Sequence, residues 1–322
     1  MNSGLSLPAR VSINDVVVRD GFQSEPNFIA TESKIALIDR LSATGLSKIE
    51  ITSFVSPKAV PNLRDATEVC RGVIRRPNVT FVALVPNLLG CERAMVCEIN
   101  EINLVMSISE SHNLANMRMS TMQSLKQFAD IMALTRSTRT QINGTVATAF
   151  GCPFEGVQDQ MRVLTAVQAY LDLGMTSITL ADTTGMANPQ QVRRMADAFL
   201  ARFPQVPLTM HFHNTRGMGL ANVLAAATSG VRSFDGSLGG LGGCPYAPGA
   251  TGNICTEDTV HMLHACGVAT GIDLDLLLGL ARDLPSIVGH EVPGQLVRSG
   301  KSTDLHPCPA SVIALRTAQA AI

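Results

Sequence analysis

Eight short runs rich in β-branched residues recur along this 322-residue chain, and a stretch with helical character follows each of them. Apolar strands that alternate with helices are typical of a parallel sheet buried on both faces. Eight such units predict an α/β fold, a closed (β/α)₈ TIM barrel, since a doubly wound open sheet usually needs fewer strands. The first helix is not opened by a GxGxxG motif, which also disfavours a dinucleotide-binding sheet. The predicted strands are residues 15–18, 48–52, 80–85, 101–106, 142–148, 177–180, 207–212 and 231–234.

The spacing of apolar residues predicts helices after Thr31, which we expect to be an N-cap, and over residues 161–173 and 192–203. We expect a single domain over residues 1–322, with the barrel from about 12 to 270 and extra helices and loops from about 271 to 322. Residues 289–309 are rich in glycine and proline and predict surface structure.

The composition limits both the core and the partners. Apolar residues make up 46% of the chain but aromatic residues only 4%, which predicts a barrel interior packed with layers of small aliphatic side chains. The net charge is −1, and basic residues never run beyond two, so neither a nucleic-acid partner nor a membrane partner is expected. The apolar runs fall short of the roughly 18 residues that a membrane span needs. Eight cysteines without a C-x-x-C pair, in a sequence without an export signal, indicate reduced thiols in a cytoplasmic protein.

Reactive side chains cluster where the predicted strands end. Active sites of (β/α)₈ barrels lie at the carboxyl ends of the strands, so these residues are expected to share one face. The side chains in question are Arg19, Asp20, Glu50, Thr52, Ser53, Asp182, Thr183, His211, His213, Asn214 and Asp235.

The H-x-H pair formed by His211 and His213 is the most informative local motif. Residues i and i+2 of a strand point to the same side, so both imidazoles would face the barrel axis. Together with Asp20 and an amide oxygen they would form a mixed nitrogen and oxygen site with open positions, which suits Mg²⁺, Mn²⁺, Co²⁺ or Fe²⁺. The alternative is a pair of core histidines that are hydrogen-bonded to their neighbours.

A glycine-rich loop covers residues 236–253 and carries Cys244. One interpretation is a lid that brings Cys244 over the site as a proton donor or acceptor. The other is a flexible loop that binds phosphate, although no Gly-Lys-Ser/Thr follows as in a Walker A motif. Residues 151–154 resemble the stretch around Cys244, but Cys152 lacks the flanking glycines and is expected to be structural.

Four further histidines are weaker candidates. His112 follows the fourth predicted strand and is a candidate for a substrate contact. His261 and His264 are expected on a partly buried or exposed helix face, and His306 and Cys308 lie in a proline-rich tail without nearby partners.

Taken together, four stretches resemble the 3-hydroxy-3-methylglutaryl-CoA lyase family of metal-dependent TIM-barrel enzymes, which is related to the isopropylmalate and homocitrate synthases. The resemblance extends from Arg19 to about Gly271. The matching stretches are RDGFQ at 19–23, IEITSFVSPK at 49–58, HFH at 211–213, and GGLGGCPYA at 239–247 with GN at 252–253.

The resemblance implies roles for individual residues. Asp20, His211 and His213 would bind a divalent cation, Mg²⁺ or Mn²⁺, and Asn253 would complete the shell directly or through water. Arg19 would polarise the thioester carbonyl, and Cys244 matches the cysteine of the mobile loop. The positions that would orient ligands or transfer protons are Glu50, Asp182 and Glu257, and the expected substrate contacts are Gln23, Tyr246 and His112.

The implied reaction cleaves C2–C3 of a 3-hydroxyacyl-CoA to acetyl-CoA and a 3-oxo acid, acetoacetate for the simplest substrate. Asp182 or a site histidine would remove the hydroxyl proton, Arg19 would stabilise the enolate, and Cys244 would protonate it. The family also implies a homodimer. The sequence departs from the family pattern at Phe22, Ser24 and Pro26 and in the segment SESHN at 109–113, so a related branched 3-hydroxyacyl-CoA is an alternative substrate.

Two other functions compete with this interpretation. One is a Claisen-type condensing enzyme of the same barrel group that joins acetyl-CoA to a 2-oxo acid, but such enzymes typically lack the GGCP loop. The other is a non-catalytic protein that binds a metal or an acyl-CoA, but such a protein needs neither Cys244 nor Arg19.

Overall fold

The computed structural model describes residues 5–243 and 252–320. Eight parallel strands close into a barrel in the order β1-β10-β9-β8-β5-β4-β3-β2, which confirms the predicted (β/α)₈ architecture. A two-stranded antiparallel hairpin, β6–β7, lies outside the barrel. The strands are β1 (Ser12–Asp15), β2 (Lys48–Ser53), β3 (Thr80–Leu84), β4 (Glu101–Ser107), β5 (Gln141–Ala147), β6 (Gly151–Cys152), β7 (Gly156–Val157), β8 (Ser177–Asp182), β9 (Leu208–Phe212) and β10 (Ser233–Gly236).

Helices follow the barrel strands and form the outer layer. They are α1 (Thr31–Leu41), α2 (Ala66–Gly72), α3 (Leu88–Val96), α4 (Glu110–Met117), α5 (Thr121–Thr135), α6 (Gln160–Asp172), α7 (Pro189–Arg202), α8 (Gly219–Thr228), α9 (Thr256–Ala265), α10 (Leu274–Val288), α11 (Leu296–Ser299) and α12 (Ala310–Gln319). None of these helices is long and apolar enough to cross a membrane.

The first strand differs from its prediction. It ends at Asp15, and the apolar residues that follow it enter a π-helical turn, Val17–Gly21. The Asp15 carboxylate accepts hydrogen bonds from the Val17 amide at 2.8 Å and the Thr256 hydroxyl at 2.6 Å, so it starts the turn and ties it to α9. The π-helical turn places Arg19 and Asp20 at the mouth of the barrel, whereas a longer strand would have carried them beyond it.

Two of the predicted helices begin earlier than their apolar spacing indicates, because their capping residues lie upstream. Asp159 caps α6, and Asn188 and Gln191 form a capping box at the start of α7. Thr31 was predicted as an N-cap, but Ala30 takes that position, and the Thr31 hydroxyl donates a hydrogen bond to Asp65 at 2.9 Å.

The C-terminal segment is only partly the surface structure that was predicted. Helix α10 packs beside α1 and α9 in the outer ring. Val292 and Leu296 are buried, and the Gly294 amide donates to the Gly239 carbonyl at 3.1 Å. Residues 302–320, in contrast, are exposed. The first part of the extension therefore supports the base of the glycine-rich loop.

The small aliphatic core lies between the strands and the helices, whereas the barrel interior is polar. This corrects the prediction of an aliphatic interior. Asn143 donates to Asn103 and Thr179, each at 3.0 Å, and Lys48 forms an ion pair with Glu101 at 2.7 Å. These groups stabilise one another because buried polar groups are costly unless they are hydrogen-bonded. The interior therefore places a polar floor beneath the mouth of the barrel.

We predict that Gly144→Ala destabilises the fold by about 1–3 kcal/mol, because overpacking a dense core forces neighbours to move. A Cβ on Gly144 would lie 2.4 Å from the Tyr170 ring and 2.5 Å from the Met175 sulfur. Urea unfolding measures the effect. Gly279→Ala in α10 is the matched control, since a Cβ there meets nothing within 4 Å and should add about 0.5–1 kcal/mol. Equal stability of Gly144→Ala and the wild type would contradict the packing described here.

Candidate active site

A cavity of about 270 Å³ opens at the carboxyl ends of the barrel strands. It is lined both by charged and polar residues and by apolar residues such as Val55, Leu84 and Pro86. Of the residues that the sequence predicted for the site, the cavity is lined by Arg19, Asp20, Gln23, Ser53, His112, Thr183, His211, His213 and Asp235. The structure thus brings together side chains from β1, β2, β4, β8, β9 and β10 or from the turns that follow these strands.

Arg19 is buried and forms two ion pairs. Its Nη1 contacts Asp20 Oδ1 at 2.5 Å, and its Nε contacts Glu50 Oε2 at 2.5 Å. Burial alone would lower the pKa of Arg19, but the charges of Glu50 and Asp20 outweigh it and raise the pKa. Glu50 in turn accepts a hydrogen bond from Asn103 at 3.1 Å. The guanidinium group is therefore held as a fixed cation at the cavity wall.

Asp20, His211 and His213 offer three ligand atoms that lie within 4.8 Å of one another. The Nε2 atoms of the two histidines are 3.1 Å apart, and His213 Nε2 lies 3.8 Å from Asp20 Oδ2. Burial raises the pKa of Asp20, but Arg19 and the two histidines more than offset this and lower it to about 2. Asp20 is therefore an ionised carboxylate over the whole neutral range.

Asn253 completes this cluster. An isolated bridge pairs it with His213, and its Nδ2 donates to Asp20 Oδ2 at 2.6 Å and to the Leu241 carbonyl at 3.1 Å. Its buried Oδ1 has no hydrogen-bond partner among the described residues. One carboxylate, two imidazoles and an orphaned amide oxygen are a donor set that fits a divalent cation with open positions. A possible metal site is thus present in the residues themselves.

Asp235 is a site residue to which the sequence reasoning assigned no role. It lies on β10 and lines the cavity, and its Oδ2 lies 3.2 Å from His211 Nδ1. Its other oxygen accepts a hydrogen bond from Asn14 Nδ2 at 2.8 Å. Burial lowers the pKa of His211, but the hydrogen bond and charge of Asp235 outweigh it and raise the pKa. The one feature of the sequence that pointed to a role for Asp235 in the site was its position directly after a predicted strand.

His112 lies in the first turn of α4, and its Nδ1 is 2.7 Å from the Ser107 hydroxyl. Burial lowers the pKa of His112, which favours the neutral imidazole. Cys152 is buried nearby and donates to the Ser109 hydroxyl at 3.0 Å, as expected for a structural thiol. His264 is exposed and bonds Thr270, which agrees with the predicted helix face.

Asp182 and Glu257 are not among the residues that line the cavity. Strand alternation turns Asp182 outward, because its neighbour Ala181 lines the cavity. Its Oδ1 accepts the amides of Met186 and Ala187, while burial, partly offset by those bonds, raises its pKa to about 6. It therefore organises the loop after β8.

Glu257 fixes the base of the glycine-rich loop, since both of its oxygens accept the Gly239 amide, at 3.1 and 3.2 Å. Burial and the nearby charge of Asp258 raise its pKa to about 8. Cys255, Glu257 and Asp258 form a second cluster of candidate ligands. The Asp258 carboxylate, however, accepts the amides of Gln295 and Leu296. This cluster holds the C-terminal segment against the barrel.

Cys244 and Tyr246 lie outside the described residues. The preceding residue, Gly243, lines the cavity. Gly242, with a φ of +118°, lies so close to the candidate ligand cluster that a Cβ there would be 2.6 Å from Asn253 Nδ2. Glycine is therefore required where the loop passes the candidate ligands.

Comparison with known proteins identifies the family of this barrel. The family model described as HMGL-like matches residues 10–284, which span the barrel and the residues that line its cavity. The chain belongs to the HMGL-like family.

Relatives of this HMGL-like protein cover most of its length. Hydroxymethylglutaryl-CoA lyase YngG of Bacillus subtilis is 44% identical over 92% of this chain and 99% of its own. The (R)-citramalyl-CoA lyase of Chloroflexus aurantiacus is 40% identical over 90% of this chain and 95% of its own. A solved HMG-CoA lyase from Acinetobacter baumannii, in complex with coenzyme A and 3-methylmalate, has a TM-score of 0.91 and 54% identity, covering 94% of this chain and 98% of that one.

We predict that the stability of this HMGL-like protein falls between about pH 5 and pH 8 because of Glu257. Its folded pKa of about 8 lies above the ordinary value of 4.5, so the folded state holds an extra proton in this window. This stabilisation is complete below the ordinary pKa of 4.5, which applies to the unfolded chain, and it is lost as the pH rises through the folded-state pKa of about 8. The free energy of unfolding falls by at most about 1.4 kcal/mol per pH unit.

Glu257→Gln, which stays neutral, should flatten this dependence, as measured by urea unfolding at a series of pH values. The exposed Glu68→Gln is the control and should keep the wild-type slope. A slope that Glu257→Gln leaves unchanged would show that Glu257 is ionised in the folded protein.

Proposed function

We propose that this protein is a divalent-metal-dependent carbon–carbon lyase that cleaves 3-hydroxy-3-methylglutaryl-CoA to acetyl-CoA and acetoacetate. The observation that carries the proposal is the convergence of Arg19, Asp20, His211 and His213 on one cavity of an HMGL-like barrel. The lyase from Bacillus subtilis, which is 44% identical, supports the same activity. The complex of the Acinetobacter enzyme with coenzyme A supports an acyl-CoA substrate.

Asp20, His211, His213 and Asn253 would hold the cation, which we propose to be Mg²⁺ or Mn²⁺. When bound, such a cation supplies Lewis acidity that makes the tertiary hydroxyl of the substrate easier to deprotonate. Asp20 is suited to this role because its low pKa keeps it ionised.

The protein's own groups account for the remaining chemistry. A base takes the proton from the C3 hydroxyl, the C2–C3 bond breaks, and its electron pair moves onto the thioester as an enolate. Arg19 faces the cavity as a fixed cation and stabilises the negative charge on the enolate oxygen. Glu50 holds the Arg19 side chain in place through its Nε. The former C3 leaves as the ketone carbon of acetoacetate.

Two proton transfers complete the reaction. For the base, the position of Asp182 outside the cavity lining favours a site histidine over this carboxylate. For the acid, we propose that Cys244 protonates the enolate carbon, since it directly follows the cavity-lining Gly243. Tyr246, Gln23 and His112 are proposed to contact the acyl-CoA. Asp182 and Glu257 support the loops that surround the site.

A second substrate, citramalyl-CoA, has support from the Chloroflexus relative. It is a branched 3-hydroxyacyl-CoA whose carboxylate is one methylene closer to the carbinol carbon, and the same bond cleavage would give acetyl-CoA and pyruvate. From the family resemblance we also propose a cytoplasmic homodimer.

We predict that the purified protein with Mg²⁺ or Mn²⁺ releases acetyl-CoA from 3-hydroxy-3-methylglutaryl-CoA with a higher kcat/KM than from citramalyl-CoA. A coupled assay for acetyl-CoA measures both rates. The condensation reaction is the control, in which acetyl-CoA and a panel of 2-oxo acids are followed by the release of free thiol. Thiol release without lyase activity would favour a condensing enzyme instead.

We predict that Arg19→Gln and Cys244→Ala each lower kcat by at least roughly 100-fold, as expected for a lost oxyanion donor or a lost proton donor. Their metal content, measured by elemental analysis, should equal that of the wild type. His213→Ala and Asp20→Ala are the contrasting variants and should lose bound metal. Full turnover in both Arg19→Gln and Cys244→Ala would refute the assigned roles, and full metal content in His213→Ala or Asp20→Ala would refute the ligand assignment.

A further inference from the structure

Asn14, Asp235 and His211 form a row across three neighbouring strands. In the strand register, Asn14 of β1 is paired with Asp235 of β10, and Asp235 is paired with His211 of β9. The three side chains therefore lie at the same level of the barrel. Asp235 sits between the other two, with one oxygen 2.8 Å from Asn14 Nδ2 and the other 3.2 Å from His211 Nδ1.

This row determines which nitrogen of His211 carries its proton. An ionised carboxylate only accepts hydrogen bonds, so the neutral His211 ring must hold its proton on Nδ1 to bond with Asp235. Its Nε2 then presents a lone pair, and that atom is the one that faces His213 Nε2 at 3.1 Å. Asn14 occupies the second carboxylate oxygen and fixes the orientation of Asp235 from the opposite side.

We propose that Asp235 is a positioning residue that selects the Nδ1–H form of His211 and aims its Nε2 at the divalent cation, with Asn14 bracing the carboxylate. Carboxylates behind metal-bound histidines act in this way in proteins generally, and their loss typically weakens metal binding 10–100-fold. The role of Asp235 in metal binding rests on the proposed metal-dependent function. The Nδ1–H form of the His211 ring, in contrast, is a property of the metal-free protein and can be measured without it.

A purely structural role for Asp235 is the competing explanation, because the row also links β1, β10 and β9. Glu101 offers a matched control for it. Its carboxylate is also buried in the barrel interior, where it pairs with Lys48 at 2.7 Å, and both Glu101 and Asp235 line a small polar cavity beneath the site. Glu101→Gln therefore perturbs the same polar interior without touching His211.

The test compares Asp235→Ala, Asp235→Asn and Glu101→Gln by two measurements on metal-free protein. Calorimetric titration with Mn²⁺ should show a Kd raised roughly 10–100-fold in Asp235→Ala. Asp235→Asn keeps one acceptor oxygen and should recover part of that loss. Glu101→Gln should bind Mn²⁺ as the wild type does. ¹⁵N spectra of histidine-labelled protein at about pH 9, well above the ordinary imidazole pKa, should show His211 protonated at Nδ1 in the wild type and shifted towards Nε2 in Asp235→Ala.

The proposal would be overturned by an Nε2–H form of His211 in the wild type, or by a Kd for Mn²⁺ in Asp235→Ala within about twofold of the wild-type value. An equal loss of affinity in Glu101→Gln would assign the effect to the polar interior as a whole and would also overturn it. If Asp235→Ala does not fold, Asp235→Asn and Asn14→Ala carry the same test, since both weaken the row and leave the backbone pairing intact. A wild type that shows the predicted His211 form and Mn²⁺ binding but cleaves no acyl-CoA would refute the proposed function and leave the role of Asp235 standing.

Discussion

The paired charge of Arg19 is the interaction on which the rest of the site depends. A buried guanidinium group is costly unless carboxylates compensate it, and here Asp20 and Glu50 do so from two different elements. The second oxygen of Asp20 binds Asn253, which fixes the far end of the glycine-rich loop next to His213. The Arg19 guanidinium group therefore links the π-helical turn after β1 to strand β2 through Glu50, and to the loop that follows β10 through Asp20 and Asn253.

The strand register arranges the remaining groups. Parallel strands that close into a barrel place residues of neighbouring strands side by side, and the polar interior is organised in such rows. Asn14, Asp235 and His211 form one row, while Asn103 contacts both Glu50 and Asn143. Because these groups satisfy one another, the floor of the cavity is polar without exposing unpaired charges. The aliphatic residues that dominate the composition pack outside the barrel, against the helices.

The sequence predicted those parts of the fold and site that local patterns encode. Buried strands are rich in β-branched residues, so seven of the eight predicted strands match the observed ones to within two residues at each end. The spacing of His211 and His213 indicated a shared face, and both line the cavity. The π-helical turn is tied to α9 by a long-range hydrogen bond from the Thr256 hydroxyl to Asp15, which no local pattern shows. The outward direction of Asp182 follows from strand alternation only once the inward position of Ala181 is known. The pairing of Asp235 with His211 depends on barrel register, which is a property of the closed sheet.

The prediction of an aliphatic barrel interior from the composition was wrong, because the composition does not say which residues the closed sheet turns inward. Counts of residue types do not distinguish the two faces of a strand, and Asn143, Thr145 and Thr179 face inward while their neighbours pack outward. Polar residues are tolerated inside because each finds a partner on the next strand. The interior thereby supports the charged groups at the mouth of the barrel.

Carbon–carbon cleavage through an enolate that is then protonated at carbon is the central claim, and product mass in D₂O tests it most directly. The protein, loaded with Mn²⁺ and given 3-hydroxy-3-methylglutaryl-CoA, should yield equal amounts of acetoacetate and acetyl-CoA, with one deuterium in the acetyl methyl group at early times. Release of free CoA without acetyl-CoA, or acetyl-CoA that carries no deuterium, would contradict the account.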